Sequence, residues 1–345
     1  MRRLPFLPPT RLDSMLQLAT SAVETFPMQI NKYGLSIFAK NIASKLFQIL
    51  FKLRNNYHMK TLYIIGNGFD LWHELPTGYN DFYDFAKDFL DEIEEYYSFD
   101  LRYHQPWHDF ENALGNFDAE NFLSIHNEVD VNSEDFRPRD IYGLEDELTE
   151  QTKIHVSNIE EAFTDWVNSI DVTDTEQKII FNTNSTFINF NYTSTLQSVY
   201  NIEDDHVLHI HGSAARHNAL IFGHGENITE PSEFDKDGEY SGHMFSEAES
   251  IARYPLYALR KPVEAVLEKN EEYFCNLNDI NDVVIIGHSL NNIDLPYFQR
   301  IKNQVGDVMW KVYCYQASDK EKHIQSLLKC GVSRGKIEII TYDEL

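Results

Sequence analysis

"TLYIIGNGFDLWHELPTGYNDF", Thr61 to Phe82, decides the fold. Leu62, Tyr63, Ile64 and Ile65 form a short apolar run closed by glycine, the pattern of a strand covered on both faces. Gly66-Asn67-Gly68 follows at once, and Thr77 to Phe89 carries the spacing of a helix. Strand, glycine turn and helix form a common phosphate cradle, because unpaired N–H groups at the helix start point at the anion. Glycine in such a turn is expected to supply a positive φ or to let the backbone approach a ligand.

The same ending recurs downstream. "STFINF" (Ser185 to Phe190) stops at Asn191, "HVLHIHG" (His206 to Gly212) alternates, and "ALIF" (Ala219 to Phe222) meets Gly223. "DVVIIG" (Asp282 to Gly287) repeats the first strand's form, and "VMWKVYCY" (Val308 to Tyr315) and "KIEIITY" (Lys336 to Tyr342) complete the series. Helical spacing falls between them, at Ser194 to Tyr200, Phe245 to Asn270, Leu295 to Gln304 and Asp319 to Cys330. Strands alternating with helices predict an α/β fold, a doubly wound, mostly parallel sheet. Lys87 to Tyr97, Trp107 to Phe117 and Tyr142 to Ile170 read as helices, with Asn127 to Asp140 as polar loop. Residues 87–172 are therefore read as a helical insertion after the first β–α unit.

The 345 residues carry a formal charge of -26. A field of that sign excludes nucleic acid as a partner held by overall charge, so an anionic ligand needs local donors. Cys275, Cys314 and Cys330 are too widely spaced for a zinc ribbon or a disulfide framework, which fits a reducing cytoplasm. Residues 1–58 differ from the rest: eight basic residues stand against Asp13 and Glu24, a net +6, which leaves -32 for the remainder. Residues 34–53, "GLSIFAKNIASKLFQILFKL", have the look of a basic amphipathic helix. Three readings stay open for 1–58: an extension outside a domain that begins at Met59 and runs through 59–345, a helix docking on a membrane surface or partner, or a targeting segment.

Four strand ends carry the polar residues: Gly66-Asn67-Gly68, Asn189-Phe190-Asn191-Tyr192, His209-Ile210-His211-Gly212 and Gly287-His288-Ser289. Ligands of open α/β sheets bind there. Leu71 replaces the third glycine of the dinucleotide fingerprint, and no acidic residue ends a strand about 20 residues on, which argues against an ordinary nicotinamide dehydrogenase. "GHSLN" at Gly287 to Asn291 approaches a nucleophile elbow but ends in asparagine, with Asp319 and His323 following in the order of a serine hydrolase. No carboxylate stands at ligand spacing to support a metal on His209, His211 and His224, so no metal is expected.

Together, Thr61 to Phe82, "WHDFE", "FINFNYTSTLQ", "LHIHG", "IFGHG", "LRKPVEAVL" and "IIGHSLNNIDLPYF" resemble the bacterial abortive-infection AbiH family of phage defence. That family in turn resembles sirtuin-like NAD-binding proteins. The sirtuin Gly-Ala-Gly-x-Ser loop is similar to Gly66 to Asp70, with Phe69 preceding an aspartate in place of the serine. The Gln-Asn-Ile-Asp segment is similar to Phe190-Asn191-Tyr192-Thr193, with Thr193 in place of the aspartate. The catalytic His-Gly is similar to His211-Gly212, and the ribose loop to Gly287-His288-Ser289-Leu290. The sirtuin zinc module, two Cys-x-x-Cys pairs, is missing, which argues against a protein deacylase.

The resemblance implies an NAD glycohydrolase that depletes NAD on a phage-derived trigger. The backbone of Gly66 to Phe69 would take the diphosphate, and Asn191 the ribose and attacking water. His211, with an imidazole pKa near 6.5, would act as general base. Ser289 and Asp294 would fix the adenosine ribose; Asp70 would stand near the diphosphate, contact a ribose or structure the turn. By analogy the protein is expected to be a homo-oligomer. A non-catalytic sensor of an ADP-ribose-like nucleotide is the alternative, and a nuclease is disfavoured by the charge.

Overall fold

The computed structural model describes residues 59–99, 106–216, 219–229 and 243–342. The basic segment 1–58, with the amphipathic stretch 34–53, lies outside the described residues. Six strands form one parallel sheet: β1 (Thr61–Ile65), β2 (Ser185–Asn189), β3 (Val207–His209), β4 (Asp282–Ile286), β5 (Met309–Cys314) and β6 (Ile337–Thr341). Their order is β3-β2-β1-β4-β5-β6. This is the doubly wound dinucleotide-binding order, and its direction reverses between β1 and β4, where such sheets open a crevice.

The apolar runs of β1 and β4 are buried throughout because both faces are covered. Leu62, Ile64, Val283 and Ile285 pack on one side with Phe298, Ile301 and Leu327. Tyr63, Ile65, Val284 and Ile286 pack on the other with Phe69 and Leu196. The register aligns the carboxyl ends, with Ile65 opposite both Asn189 and Ile286, and Ile286 opposite Tyr313. The loops that follow these strands therefore open on one edge.

Between β1 and β2 the chain is mainly helical, ending in the long helix Arg139–Ser169. This segment has its own aromatic core, in which Phe82, Trp107, Phe110, Phe163 and Trp166 meet Phe222 and Leu259 from the later chain. No helix among the described residues is long and apolar enough to cross a membrane.

Several boundaries differ from the sequence reading. The glycine turn opens directly into a helix, Asn67–Trp72; the helix expected over Thr77 to Phe89 is Tyr79–Phe85, followed by a second, Lys87–Ile93. Ala219 to Phe222 forms no strand, and β3 ends at His209, because Gly212 turns the chain at φ 86°. Phe245 to Asn270 is three helices, Ser246–Ala252, Tyr254–Ala258 and Val263–Lys269. Pro255 and Pro262 restart it, since proline suits a first turn but cannot donate inside a helix.

Candidate functional site

The turns after β1 and β4 are built into each other. Gly66 N–H donates to Ile286 O (3.0 Å), and Gly68 N–H to Gly287 O (2.8 Å). Gly287 has φ 72°, and a Cβ there would stand 2.1 Å from the Phe69 nitrogen; a Cβ on Gly68 would stand 2.8 Å from Gly287 Cα. These glycines permit loop-on-loop packing across the switch point. Gly66 is extended at φ -125°, so the positive φ expected there occurs at Gly287 instead. Phe69 N–H donates to Gly66 O (2.9 Å), so three of the four N–H groups from Gly66 to Phe69 are already bonded within the protein. The full backbone phosphate cradle expected at this turn is absent for that reason. Asn67 braces the turn through Nδ2 to Thr77 O (2.7 Å), and Phe69 is a core residue with no exposure.

Above the seam lies a cleft of about 790 Å³ along the carboxyl edge of the sheet. Gly66, Asn67, Gly68, Asp70, Asn191, Tyr192, Thr193, His211, Gly287, His288, Ser289 and Asp294 all line it. Phe69 and Gly212 do not. His209 is occupied elsewhere, its ring bonded to Gln197 Nε2 (2.9 Å) and Asn191 O (3.3 Å), whereas His211 lies past the strand in the turn. Ser289 is exposed and hydrogen-bonds to no histidine among the described residues, which removes the support for a serine hydrolase.

Asn191 enters the cleft just beyond β2, where its Nδ2 donates to Gly66 O (3.2 Å). Asp70 has no exposure; Thr193 Oγ1 donates to its Oδ2 at 2.5 Å. Burial pushes the Asp70 carboxyl up to about 6, against the hydrogen bond from Thr193. The His211 ring packs edge-on to Phe190 and Tyr297. Burial holds it well below the ordinary value of 6.5, and the charges of Lys261 and His288 push the same way. The imidazole is therefore neutral and a weak base, which corrects the ordinary pKa expected of it.

The closed end of the cleft holds two ionic residues with no role in the sequence reading. Lys261, 5 % exposed, lies 3.0 Å from Glu111 Oε2 and 3.5 Å from Asp294 Oδ1. Burial opposes the lysine's charge, but the two carboxylates outweigh it and raise its pKa. Burial raises the Glu111 carboxyl, with Lys261 pulling the other way. Asp294 also faces His211 Nε2 (4.0 Å) and His288 Nε2 (3.6 Å). His288 Nδ1 accepts from Leu290 N–H (2.9 Å), which leaves the proton of a neutral ring on Nε2, toward Asp294. Asp294 thus sits between the two imidazoles of His211 and His288. Glu111 and Lys261 occur in "WHDFE" and "LRKPVEAVL", so the family pattern contained them although their pairing was not legible.

Among the described residues, eleven buried side-chain polar atoms have no hydrogen-bond partner, and six line this cleft. They are His211 Nε2, Asn191 Oδ1, Asp70 Oδ1, Thr77 Oγ1, His323 Nδ1 and Tyr342 Oη. They follow β3, β2, β1, β5 and β6, so they extend across the whole sheet edge. Adjacent strands are about 4.8 Å apart, so a ligand meeting them all would be extended over roughly 24 Å. Buried polar groups are nearly always paired, and this concentration makes the cleft the candidate place for water or a polar ligand to supply the partners.

A family model described as "Bacteriophage abortive infection AbiH" matches residues 62–314, which include all of β2 to β5, β1 but for Thr61, the switch-point seam and the Glu111–Lys261–Asp294 cluster. No curated protein and no solved structure matches the chain.

Proposed function

The chain belongs to the bacteriophage abortive-infection AbiH family, and from that premise we propose that its cleft binds NAD and cleaves the nicotinamide–ribose bond. The observation that carries this reading is the row of unpartnered polar atoms across a sheet edge of dinucleotide-binding order. Nicotinamide leaves from an already cationic ring, so the reaction needs little acid catalysis. It needs a held dinucleotide, a stabilised cationic sugar centre and an acceptor for the proton of water.

Asn191 and His211 hold the nicotinamide ribose. The neutral imidazole accepts a hydrogen bond from a ribose hydroxyl at Nε2, its unpartnered atom. Five carboxylates line the cleft (Asp70, Asp109, Glu111, Asp294 and Asp319) against Lys261 and Lys322. Three of these carboxylates suit the pyridinium end, where Tyr192 lies 3.4 Å from Glu111. Ser289 and exposed Lys322 take the outer ribose and the diphosphate, since the β1 turn keeps few free N–H donors.

Purified protein, assayed with NAD in the presence of lysate from phage-infected cells, is expected to release nicotinamide. Asn191→Ala and His211→Ala are expected to slow this at least about 100-fold without changing the circular dichroism spectrum. Undiminished turnover in both variants would reject the assignment. NAD binding without turnover under every condition would favour the sensor, for which the same cleft would serve.

A further inference from the structure

Asp70 combines full burial, a place on the cleft wall and an incomplete set of partners. Its Oδ2 is anchored by Thr193 Oγ1, which stands 3.1 Å from Thr195 Oγ1, while its Oδ1 has no partner. Asn191, whose Nδ2 donates to Gly66 O, has its own Oδ1 unpartnered as well. No lysine or arginine among the described residues lies within ion-pair distance of Asp70; the buried Lys261 is shared between Glu111 and Asp294. A buried carboxylate with no cation is unfavourable unless something compensates it. Hydrogen bonding to Thr193 alone could be satisfied by an asparagine. A cation that arrives with the ligand, or forms during reaction, accounts for both the missing charge partner and the free oxygen. Glycoside cleavage commonly sets a carboxylate against an oxocarbenium-like centre.

We propose that Asp70 is the catalytic carboxylate of the N-glycosidic cleavage, facing the ribosyl cation and taking the proton of the water that replaces nicotinamide. The inference rests on the NAD reading. The C1′–N bond breaks with its electron pair passing to the pyridinium nitrogen, and neutral nicotinamide leaves. A water oxygen bonds to C1′, and its proton passes to Asp70 Oδ1 and on to solvent. No oxidation state changes, and the products are ADP-ribose, nicotinamide and one proton. A carboxyl titrating near 6 is better matched to this transfer at neutral pH than an imidazole held far lower.

The test follows NAD turnover against pH, with infected-cell lysate present, and ADP-ribose binding by calorimetry. It uses the full chain, Asp70→Asn and Thr193→Val. Asp70→Asn is expected to bind ADP-ribose within about threefold of wild type and to lose turnover by about 100-fold or more, with no acid limb near pH 6 in what remains. Thr193→Val removes a hydrogen bond that favours the carboxylate, so its acid limb is expected at higher pH, with turnover recovering above it. Turnover within about threefold of wild type in Asp70→Asn, a retained acid limb, or loss of ADP-ribose binding in that variant overturns the inference and leaves the NAD reading standing. Failure of the wild-type protein to bind ADP-ribose or consume NAD overturns the NAD reading and this inference with it.

Discussion

The two halves of the cleft are built to opposite rules. Over β2 and β3, beneath the helix Arg139–Ser169, the polar residues are almost sealed: Asn191, His211 and Lys261 are each at most 5 % exposed. Over β4 to β6 the outer wall opens: Ser289 and Lys322 face solvent and Tyr315 is 79 % exposed, while His288 and Asp294 after β4 are buried with the closed half and His323 is a buried exception on this side. Charges in the first half act through protein, where a pair is worth several times its value in water; those in the second half are screened. Burial of ions is tolerated where differential stabilisation of a transient charge is needed, and recognition of the remaining ligand can stay wet. Under the proposed NAD reading, the closed half would carry the chemistry and the open half the affinity.

The largest way to break this comparison is to remove the cation of the closed half. Lys261→Met leaves Glu111 and Asp294 buried without their shared partner. A broken buried pair costs about 3–5 kcal/mol. Urea denaturation at pH 7.5 is expected to show that loss, and adding Glu111→Gln should return part of it by removing one stranded charge. A Lys261→Met protein of wild-type stability would mean that the closed half is hydrated, and the contrast between the halves would fail.

Asp70 gives a second, opposite-signed test in the same half. Its carboxyl rises from 3.8 to about 6 on folding. Between those values the folded state holds more protons than the unfolded, so the Asp70 contribution to stability falls as pH rises through the window. A shift of that size corresponds to about 3 kcal/mol, as an upper bound. Asp70→Asn is therefore expected to equal wild type near pH 4 and to exceed it by about 2 kcal/mol above pH 6, a gain in stability at a residue assigned to catalysis. A stability difference that does not change with pH would show the carboxylate to be compensated in the resting protein.

The seam between the halves is sensitive to a single carbon. Gly287→Ala would force a Cβ onto the Phe69 nitrogen at a φ of 72°, and is expected to destabilise by about 1–3 kcal/mol. Gly331→Ala, at φ 85° but with nothing within 4 Å, isolates the conformational part and is expected to cost about 1 kcal/mol. Equal losses in the two variants, read by thermal denaturation, would mean that the loops can part, and that the halves are not held in a fixed relation.

Much of this arrangement is legible in the sequence. β1 and β4 announce themselves because a strand buried on both faces must be apolar throughout, and each meets glycine where the loops touch. Asn191, His211 and Asp70 fell on the cleft because they end or follow strands, and a parallel sheet collects those ends on one edge. The helix Asn67–Trp72 was hidden: six residues beginning with asparagine and glycine have little helix propensity, and the bond from Gly68 to Gly287 holds their start from outside. The breaks in the stretch Phe245 to Asn270 were available in Pro255 and Pro262, whereas the shortening of β3 depended on the turn at Gly212. Glu111 and Lys261 could not be paired by inspection, since 150 residues separate them and their link is tertiary. The value of a histidine pKa is likewise a property of burial, so residue type indicated where His211 would lie but not how it would titrate.

The smallest expected effect is the one that sharpens the comparison most. Ser289 lies in the open half, exposed and on the cleft wall. If that half supplies affinity alone, Ser289→Ala removes one hydrogen bond in competition with water, worth about 1 kcal/mol or less. Steady-state NAD turnover should then show KM raised by up to about fivefold with kcat unchanged, because an interaction made equally in the ground and transition states is lost. Stability should be unaltered, as the hydroxyl buries nothing. A fall in kcat instead would mean that the outer ribose contact is used to position the reacting bond, and that binding energy crosses the seam at Gly68 and Gly287 into the closed half.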